Sequence, residues 1–307
     1  MTIKEKLQII RKMLRLTQSG LAQKIGVSFA TFNSWWNEKS FPRTKTEKEI
    51  DELFKEVTGQ KIIPESQLES KRKIIGKKSS EYKSIVGEIL ENPDIYKEFA
   101  LKLTYHTNKI EGSTLTEPDT AAILFDNVSI PDKSITEQLE AKNHQAAFDC
   151  VLKYVSKNLE IDEAFVLRLH SILMNGIRPD AGSYRNHAVR IVGTSLPTAN
   201  YLKVPELVLG IMPLARKTKK DAVSMATEFH ARFEQIHPFS DGNGRVGRLL
   251  LAAMLLKNNI APAIIREEQK QLYYTYLYKA QTKDDRSQLE NFICDGIMEG
   301  FRILERK

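Results

Sequence analysis

The feature that most constrains this chain is a polar, glycine-containing stretch that runs directly into an apolar one. Residues 237–248 read His-Pro-Phe-Ser-Asp-Gly-Asn-Gly-Arg-Val-Gly-Arg, and residues 249–256 are all apolar. This pattern predicts a loop that leads into a buried helix. The first amide groups of a helix have no partners within it, so its N-terminus binds anions. We therefore predict an anion site at the start of a core helix, with an ordinary glycine-rich turn as the alternative.

The glycines and arginines of this stretch have the chemistry of a phosphate site. Gly242 and Gly244 let the backbone approach a phosphate without a Cβ in the way. Arg245 and Arg248 are three residues apart, so they project from one helix face. Each guanidinium group can donate two parallel hydrogen bonds to two oxygens of one phosphate.

Two further side chains suggest transfer chemistry rather than binding alone. Asp241 supplies a hard oxygen ligand of the kind that Mg²⁺ takes beside a nucleotide phosphate. His237 titrates near neutral pH, so it can accept the proton of an attacking hydroxyl. These residues predict a metal-assisted transfer from a nucleotide.

The stretch resembles the signature of Fic-domain proteins, His-x-Phe-x-Asp/Glu-Gly-Asn-Gly-Arg-x-x-Arg, and meets every fixed position. The resemblance implies AMP transfer from ATP to a Ser, Thr or Tyr hydroxyl of a protein, with the chain itself as one candidate target. It implies that His237 is the general base and that Asp241 holds Mg²⁺. Gly244 favours AMP transfer, because a kinase-like branch carries a larger basic residue there. The implied ATP ligands are Gly242, Asn243 with its side chain near the α-phosphate, Gly244, Arg245 near the β-phosphate and Arg248 at the γ-phosphate.

A second segment is similar to the inhibitory-helix motif of the same family, Ser/Thr-x-x-x-Glu-Gly/Asn. It comprises Thr107, Glu111 and the helix-ending Gly112. The resemblance implies that Glu111 pairs with Arg248, displaces the γ-phosphate and inhibits the chain intramolecularly. It also implies that Glu111 can position a water that removes AMP from modified targets. The alternative is an exposed glutamate at a helix end.

Two other segments resemble parts of the family that surround the site. The stretch before Ile191, Val192 and Gly193 resembles the lead into a β-hairpin flap that docks the target segment by strand pairing. Tyr273 matches a helix beside the adenine pocket, although an aromatic residue at such spacing is more often part of a core.

The positive charge of the chain is confined to its N-terminal quarter. Residues 1–80 hold 17 Lys and Arg against 9 Asp and Glu, whereas the rest of the chain is nearly balanced. This asymmetry indicates a polyanionic partner for the N-terminal piece. No apolar run is long enough for a membrane span, no secretory signal is evident, and the two cysteines fit a reducing cytoplasm.

The N-terminal piece resembles the Cro/C1-type helix-turn-helix. Thr17 and Ser28 are candidate caps of two short helices, and Gly26 allows a tight turn between them. The resemblance implies DNA binding through residues 1–58, with a small helical docking domain as the alternative. The implied contacts with DNA are Gln18, Lys24, Ser28, Phe29, Thr31, Asn33 and Ser34.

The sequence thus predicts an all-α chain with three parts. They are a helix-turn-helix domain at 1–58, a linker at 59–80, and a Fic domain at 81–307 with a small β-hairpin flap and an inhibitory helix around 100–112. The predicted function is auto-inhibited, cytoplasmic protein adenylylation with ATP and Mg²⁺, without a membrane partner. The alternative is a transcriptional regulator that senses nucleotide with little turnover. The oligomeric state is left open, a homo-oligomer included.

Overall fold

A computed structural model describes residues 1–190, 196–216 and 222–306. These residues form α-helices α1 to α15 with short 3₁₀ and π turns, and no β-strand occurs among them. The all-α prediction is confirmed for this part of the chain. The predicted flap residues Ile191, Val192 and Gly193 lie outside the described residues, so the hairpin stays a prediction.

The chain divides into two compact units, which are not two uninterrupted halves. The first comprises Met1–Glu65 and Glu268–Leu289, and the second comprises Ser66–Glu267 and Glu290–Lys307. The domain limits predicted from the sequence stay a prediction, because compactness alone does not define a folding domain.

The first unit contains the two capped helices expected near the N-terminus. The Thr17 hydroxyl accepts a hydrogen bond from the amide of Gly20, and Ser28 accepts one from the amide of Thr31. Gly26 adopts a left-handed conformation, with φ of 77°, between the two helices. The unit's helices are α1 (Ile3–Met13), α2 (Gln18–Ile25), α3 (Phe29–Trp36), α4 (Thr44–Val57) and α14 (Lys270–Thr282).

Most of the predicted linker is helical. Helix α5 covers Glu65–Ser80, and its apolar Leu68 and Ile75 are buried. Three of its basic residues form ion pairs with acidic residues of the same unit: Lys71 with Asp295, Arg72 with Glu290, and Lys78 with Glu305. The sequence did not indicate this helix, because its composition is mostly polar and its buried face is narrow.

The second unit is built around helix α13 (Asn243–Lys257), which follows the polar loop. Almost every residue of α13 is buried, as the apolar run predicted. Four helices pack against it: α7 (Pro93–Glu111), α9 (Ile135–Ser156), α10 (Glu163–Leu173) and α12 (Ala222–Ile236). The remaining helices of the unit are α5, α6 (Ile85–Glu91), α8 (Glu117–Ala121), α11 (Val204–Arg216) and α15 (Ser287–Leu304, mostly within this unit).

No helix among the described residues is long and apolar enough to cross a membrane.

Candidate active site

The polar loop is held in one shape by side chains that face inward. Phe239 is fully buried, and its ring stacks on that of His170 at 3.7 Å between centroids and 6° between planes. The side-chain amide of Asn243 donates to the carbonyl of Phe239 and accepts from its amide, both at 2.8 Å. The sequence assigned this side chain to the α-phosphate, whereas here both of its polar atoms bind the loop itself. Asn243 therefore closes the loop that begins the core helix.

His237 is held in a strained conformation just beyond the end of α12. Its φ is 53°, in the left-handed region that non-glycine residues rarely adopt. The ring Nδ1 lies 3.3 Å from the carbonyl oxygen of Glu234. A carbonyl can only accept, so Nδ1 donates and Nε2 carries the lone pair. Burial of the ring lowers the pKa of His237, so the neutral, proton-accepting form persists below neutral pH.

Asp241 lies in the polar loop, just before the start of α13. Its side chain is 52% exposed, and its Oδ1 accepts a hydrogen bond from the amide of Gly242 at 2.6 Å. No group of three or more His, Cys, Asp or Glu able to hold a metal occurs in the described part of the chain. One accessible carboxylate still fits Mg²⁺, which is commonly held by one or two carboxylates together with substrate phosphates.

Arg245 is one of the most deeply buried residues of the site. It is 2% exposed, and its Nη1 lies 2.6 Å from the Glu140 carboxylate. Its Nη2 lies 3.6 Å from Asp241. A carboxylate partner offsets the cost of burying a guanidinium, so Glu140 on α9 fixes where this arginine can act.

Arg248 is bound by residues of helix α7. Its guanidinium forms an ion pair with Glu111, and its Nε donates to the hydroxyl of Thr107. Gly112 ends α7 with φ of 108°, which places Glu111 at the last turn. A Cβ at Gly244 would overlap the Glu111 carboxylate, so this carboxylate lies against the backbone of the first turn of α13. The structure therefore brings together Thr107, Glu111 and Gly244 with Arg248.

Comparison with known proteins supports the resemblance. Residues 160–255 match the model of the Fic/DOC family. The chain carries a Fic domain. It is 32% identical over 199 residues to "Protein adenylyltransferase Fic" of Nematostella vectensis, covering 62% of this chain and 45% of that one. A Drosophila ananassae protein of the same name is 31% identical over 210 residues, covering 65% and 40%. The chain thus spans less than half the length of these two relatives.

Solved structures agree on the fold. A Fic domain containing signaling protein from Bacteroides thetaiotaomicron superposes with a TM-score of 0.67 at 20% identity, over 76% of this chain and 97% of that one. Fic-1 (residues 134 to 508) from C. elegans gives a TM-score of 0.62 at 22% identity, over 84% and 77%. At these identities the likeness shows the Fic fold and leaves substrate and partners undetermined.

Several residues of this Fic domain were not found from the sequence. Glu234 is 7% exposed, its Oε1 has no hydrogen-bond partner, and burial raises its pKa to about 7, while Arg248 lowers it and Glu111 raises it. Its Oε1 is packed so closely against Gly247 that a Cβ there would overlap it. A single glutamate in an amphipathic helix gives no sequence signal of burial beside an arginine.

Two other histidines of the unit, His230 and His170, are buried and lie against backbone carbonyls. Burial lowers the pKa of His230 to about 3 and that of His170 to about 4. His230 Nδ1 lies 3.1 Å from the carbonyl of Gly247, and His170 Nε2 lies 3.2 Å from that of Asp241. Both rings are therefore neutral donors that fix the backbone around the Fic motif.

The remaining predicted residues lie in the first unit. Tyr273 is fully buried on α14, and its contact with adenine stays a prediction. On and before α3, Ser28, Phe29, Thr31 and Asn33 are exposed, whereas Ser34 is half-buried and bonds Ser40 at 2.8 Å. On α2, Lys24 is exposed and Gln18 is half-buried. Most of the predicted DNA-binding set is thus accessible on one short helical segment, and its role stays a prediction.

Proposed function

We propose that the chain is a protein adenylyltransferase that moves AMP from ATP to a protein hydroxyl. The observation that carries the proposal is the combination, in one loop, of two features. The pKa of His237 is lowered by burial of its ring, and the N-cap of α13 makes no side-chain capping hydrogen bond. Relatives over about two thirds of this chain are named protein adenylyltransferase, which supports the same reaction.

The reaction follows from the positions of these groups. Nε2 of His237 takes the proton of the target Ser, Thr or Tyr hydroxyl, whose oxygen attacks the α-phosphorus. A phosphorus–oxygen bond to the target forms, the bond to the β-phosphate breaks, and pyrophosphate leaves. The amides of Asn243 and Gly244 donate hydrogen bonds to the α-phosphate and stabilise the charge that develops on it, whereas the amide of Gly242 donates to Asp241 Oδ1. Arg245 acts near the β-phosphate, oriented by Glu140.

Asp241 is the residue proposed to hold Mg²⁺, because its carboxylate is half exposed beside the phosphate-binding amides. When bound, the ion neutralises charge on the α- and β-phosphates. Asp241 keeps one orientation because its Oδ1 is tied to the amide of Gly242.

The proposed enzyme is inhibited by its own α7. Arg248, the proposed ligand of the γ-phosphate, has its guanidinium engaged by Glu111 and Thr107. The Glu111 carboxylate also lies against Gly244, where it repels an incoming phosphate. Productive ATP binding therefore requires Glu111 to leave. The same carboxylate can orient a water for removal of AMP from a modified target.

The first unit is proposed to bind DNA through the exposed residues around α3, and so to determine where the enzyme acts. The support is the segment 18–36, which has two capped helices joined at Gly26, and the excess of basic over acidic residues in the N-terminal quarter.

The test uses ATP labelled separately at the α- and γ-phosphates, with lysate proteins and the chain itself as targets. Glu111→Gly should transfer the α-label at least tenfold faster than the unaltered chain, and the γ-label should not be transferred. Glu111→Gln keeps the side-chain size but loses the charge, so it should be partly active. Glu111→Gly combined with His237→Ala should transfer nothing.

Two results would overturn the proposal. Transfer of the γ-label would indicate a kinase. Absence of any transfer by Glu111→Gly, with ATP bound tightly, would favour the alternative of a nucleotide-sensing regulator. Mass spectrometry of the labelled proteins then identifies the target and the modified residue.

A further inference from the structure

Arg185 is a buried cation that binds the backbone of the active-site loop. Its side chain is 3% exposed, and no ion pair joins it to a carboxylate among the described residues. Instead, the guanidinium donates to four carbonyl oxygens. They belong to His237 at 2.8 Å, His187 at 2.8 Å, Ile236 at 3.4 Å, and Ala199. A charge without a carboxylate partner is costly to bury, so these bonds carry its stabilisation.

Two of these carbonyls end helix α12. The carbonyls of the last turn of a helix have no partners within the helix, and a cation there is favourable. Arg185 binds those of Ile236 and His237, and its own amide donates to the carbonyl of Pro238 at 3.0 Å. Three successive residues are thus fixed from one side. They include the residue whose φ of 53° needs external support.

The other two carbonyls belong to chain segments that run in from a different part of the sequence. His187 and Ala199 are brought to the same guanidinium, although twelve positions of sequence separate them. Near them, the Thr198 hydroxyl donates to the carbonyl of Val189 at 2.8 Å. The two segments are therefore held side by side, and Arg185 ties both of them to His237.

We propose that Arg185 is a positioning residue, which sets the position of the catalytic His237 by binding its backbone carbonyl. The same guanidinium also holds the segments that contain His187 and Ala199. The inference rests on the proposed function for its catalytic consequence. Arg185 touches neither ATP nor the target hydroxyl in this scheme. Its effect passes through the carbonyl of His237 to the imidazole that takes the proton.

The charge and the planar shape of the Arg185 guanidinium can be tested separately, which separates this role from a general contribution to folding. The substitution Arg185→Lys keeps the charge but lacks the planar group, so it cannot bind four carbonyls in these directions. The substitution Arg185→Gln removes the charge. Burial is the largest cause that lowers the pKa of His237, and the charge of Arg185 lowers it further. Loss of the charge and looser packing of the ring would both move the pKa of His237 upward, towards its ordinary value.

The experiment places Arg185→Lys and Arg185→Gln in the Glu111→Gly background and measures kcat, KM for ATP, thermal unfolding, and the imidazole pKa of His237. The pKa comes from NMR of ¹³C-labelled histidine, with the signal assigned by its loss in His237→Ala. We expect both variants to lower kcat by roughly 10- to 100-fold, the loss typical of a misplaced catalytic group, with KM for ATP changed less than about threefold. Arg185→Gln should also raise the pKa of His237. The control Arg168→Gln removes an exposed arginine of the same unit and should change neither value.

Folded variants that keep kcat within about threefold, or whose loss lies in KM for ATP, would overturn the inference. If neither variant folds, hydrogen exchange of the Arg185 Nε–H in the Glu111→Gly protein decides. Slow exchange supports the clamp, and exchange as fast as that of Arg168 contradicts it. If Glu111→Gly transfers no AMP at all, the proposed function fails, while the NMR titration still tests the link between Arg185 and His237.

Discussion

Glu111 and Arg248 form an ion pair although 137 positions of sequence separate them. Arg248 is almost fully buried, while the Glu111 side chain is 33% exposed. The arginine is thus fixed within the core helix, whereas the glutamate lies at the end of α7, where a helix can loosen at low cost. A signal that displaces the last turn of α7 would release Arg248 without disturbing the core.

Thr107 shares the restraint on Arg248, so Thr107→Val should weaken inhibition without abolishing it. The substitution keeps the shape but removes the hydroxyl that accepts from the Arg248 Nε. Hydrogen bonds to charged groups contribute about 1.5–3 kcal/mol, which corresponds to a gain in ATP affinity of roughly tenfold or more. Isothermal titration with ATP would measure it. Thr107→Ser, which retains the hydroxyl, is the control, and equal ATP affinity in Val and Ser variants would contradict the prediction.

The pH dependence of transfer should report the lowered pKa of His237. The neutral imidazole is the active form, and burial keeps it neutral at lower pH than in an ordinary histidine. The acid limb of kcat/KM in Glu111→Gly should therefore lie below pH 6.5, with activity lost as the pH falls through it. A limb centred at or above pH 6.5 would show that the ring is solvated in the working enzyme. The ring N–H of His237 would then also exchange rapidly with solvent.

Glu234→Gln should stabilise the protein at neutral and higher pH. Burial raises the folded-state pKa of Glu234 to about 7, above its ordinary value. The stability contributed by the protonated form is fully present below the unfolded-state pKa and is lost as the pH rises through about 7. The gain at pH 8 is on the order of 3 kcal/mol, since the pKa rises from 4.5 to about 7 and one pKa unit corresponds to about 1.4 kcal/mol.

Denaturant unfolding at pH 5 and pH 8 would measure this effect. The variant should match the unaltered chain at pH 5 and exceed it at pH 8. Glu91→Gln, at an exposed position of the same unit, is the control and should change stability at neither pH. An equal effect of Glu234→Gln at both values would mean that Glu234 is already ionised in the fold.

Lys24→Ala should weaken binding of duplex DNA by the full chain and reduce its salt dependence. Lys24 is exposed at the last turn of α2, next to the turn at Gly26. Loss of one phosphate contact lowers the slope of log affinity against log salt by about 1. Lys55→Ala on α4 of the same unit is the matched control. Binding that Lys24→Ala leaves unchanged would contradict the Lys24 contact, and a lack of DNA binding by the unaltered chain would favour the docking-domain alternative for the first unit.

Local patterns in the sequence were sufficient for several elements. The polar stretch and apolar run predicted a loop, a helix start and a buried helix, and α13 begins at Asn243 after a left-handed Gly242. Thr17 and Ser28 cap the helices that their spacing indicated. These features depend on neighbours within a few positions, so the sequence carries them directly.

Features that depend on distant segments were decided only by the tertiary structure. Polar composition suggested a linker where α5 packs by Leu68 and Ile75. The side chain of Asn243 bonds the backbone of Phe239, and its contact with the α-phosphate stays a prediction. Arg185, Glu140 and Glu234 acquire their roles from burial, which depends on which helices meet and leaves no periodic trace in the sequence.

The sequence by itself determined which chemical groups this protein places at the start of its core helix, because the motif residues are contiguous. The tertiary structure decided their state. It brought the carboxylate of Glu111 to Arg248, partly buried the ring of His237, and fixed the backbone of His237 through Arg185. Charge and solvation act through space rather than along the chain, so only the packed helices set them.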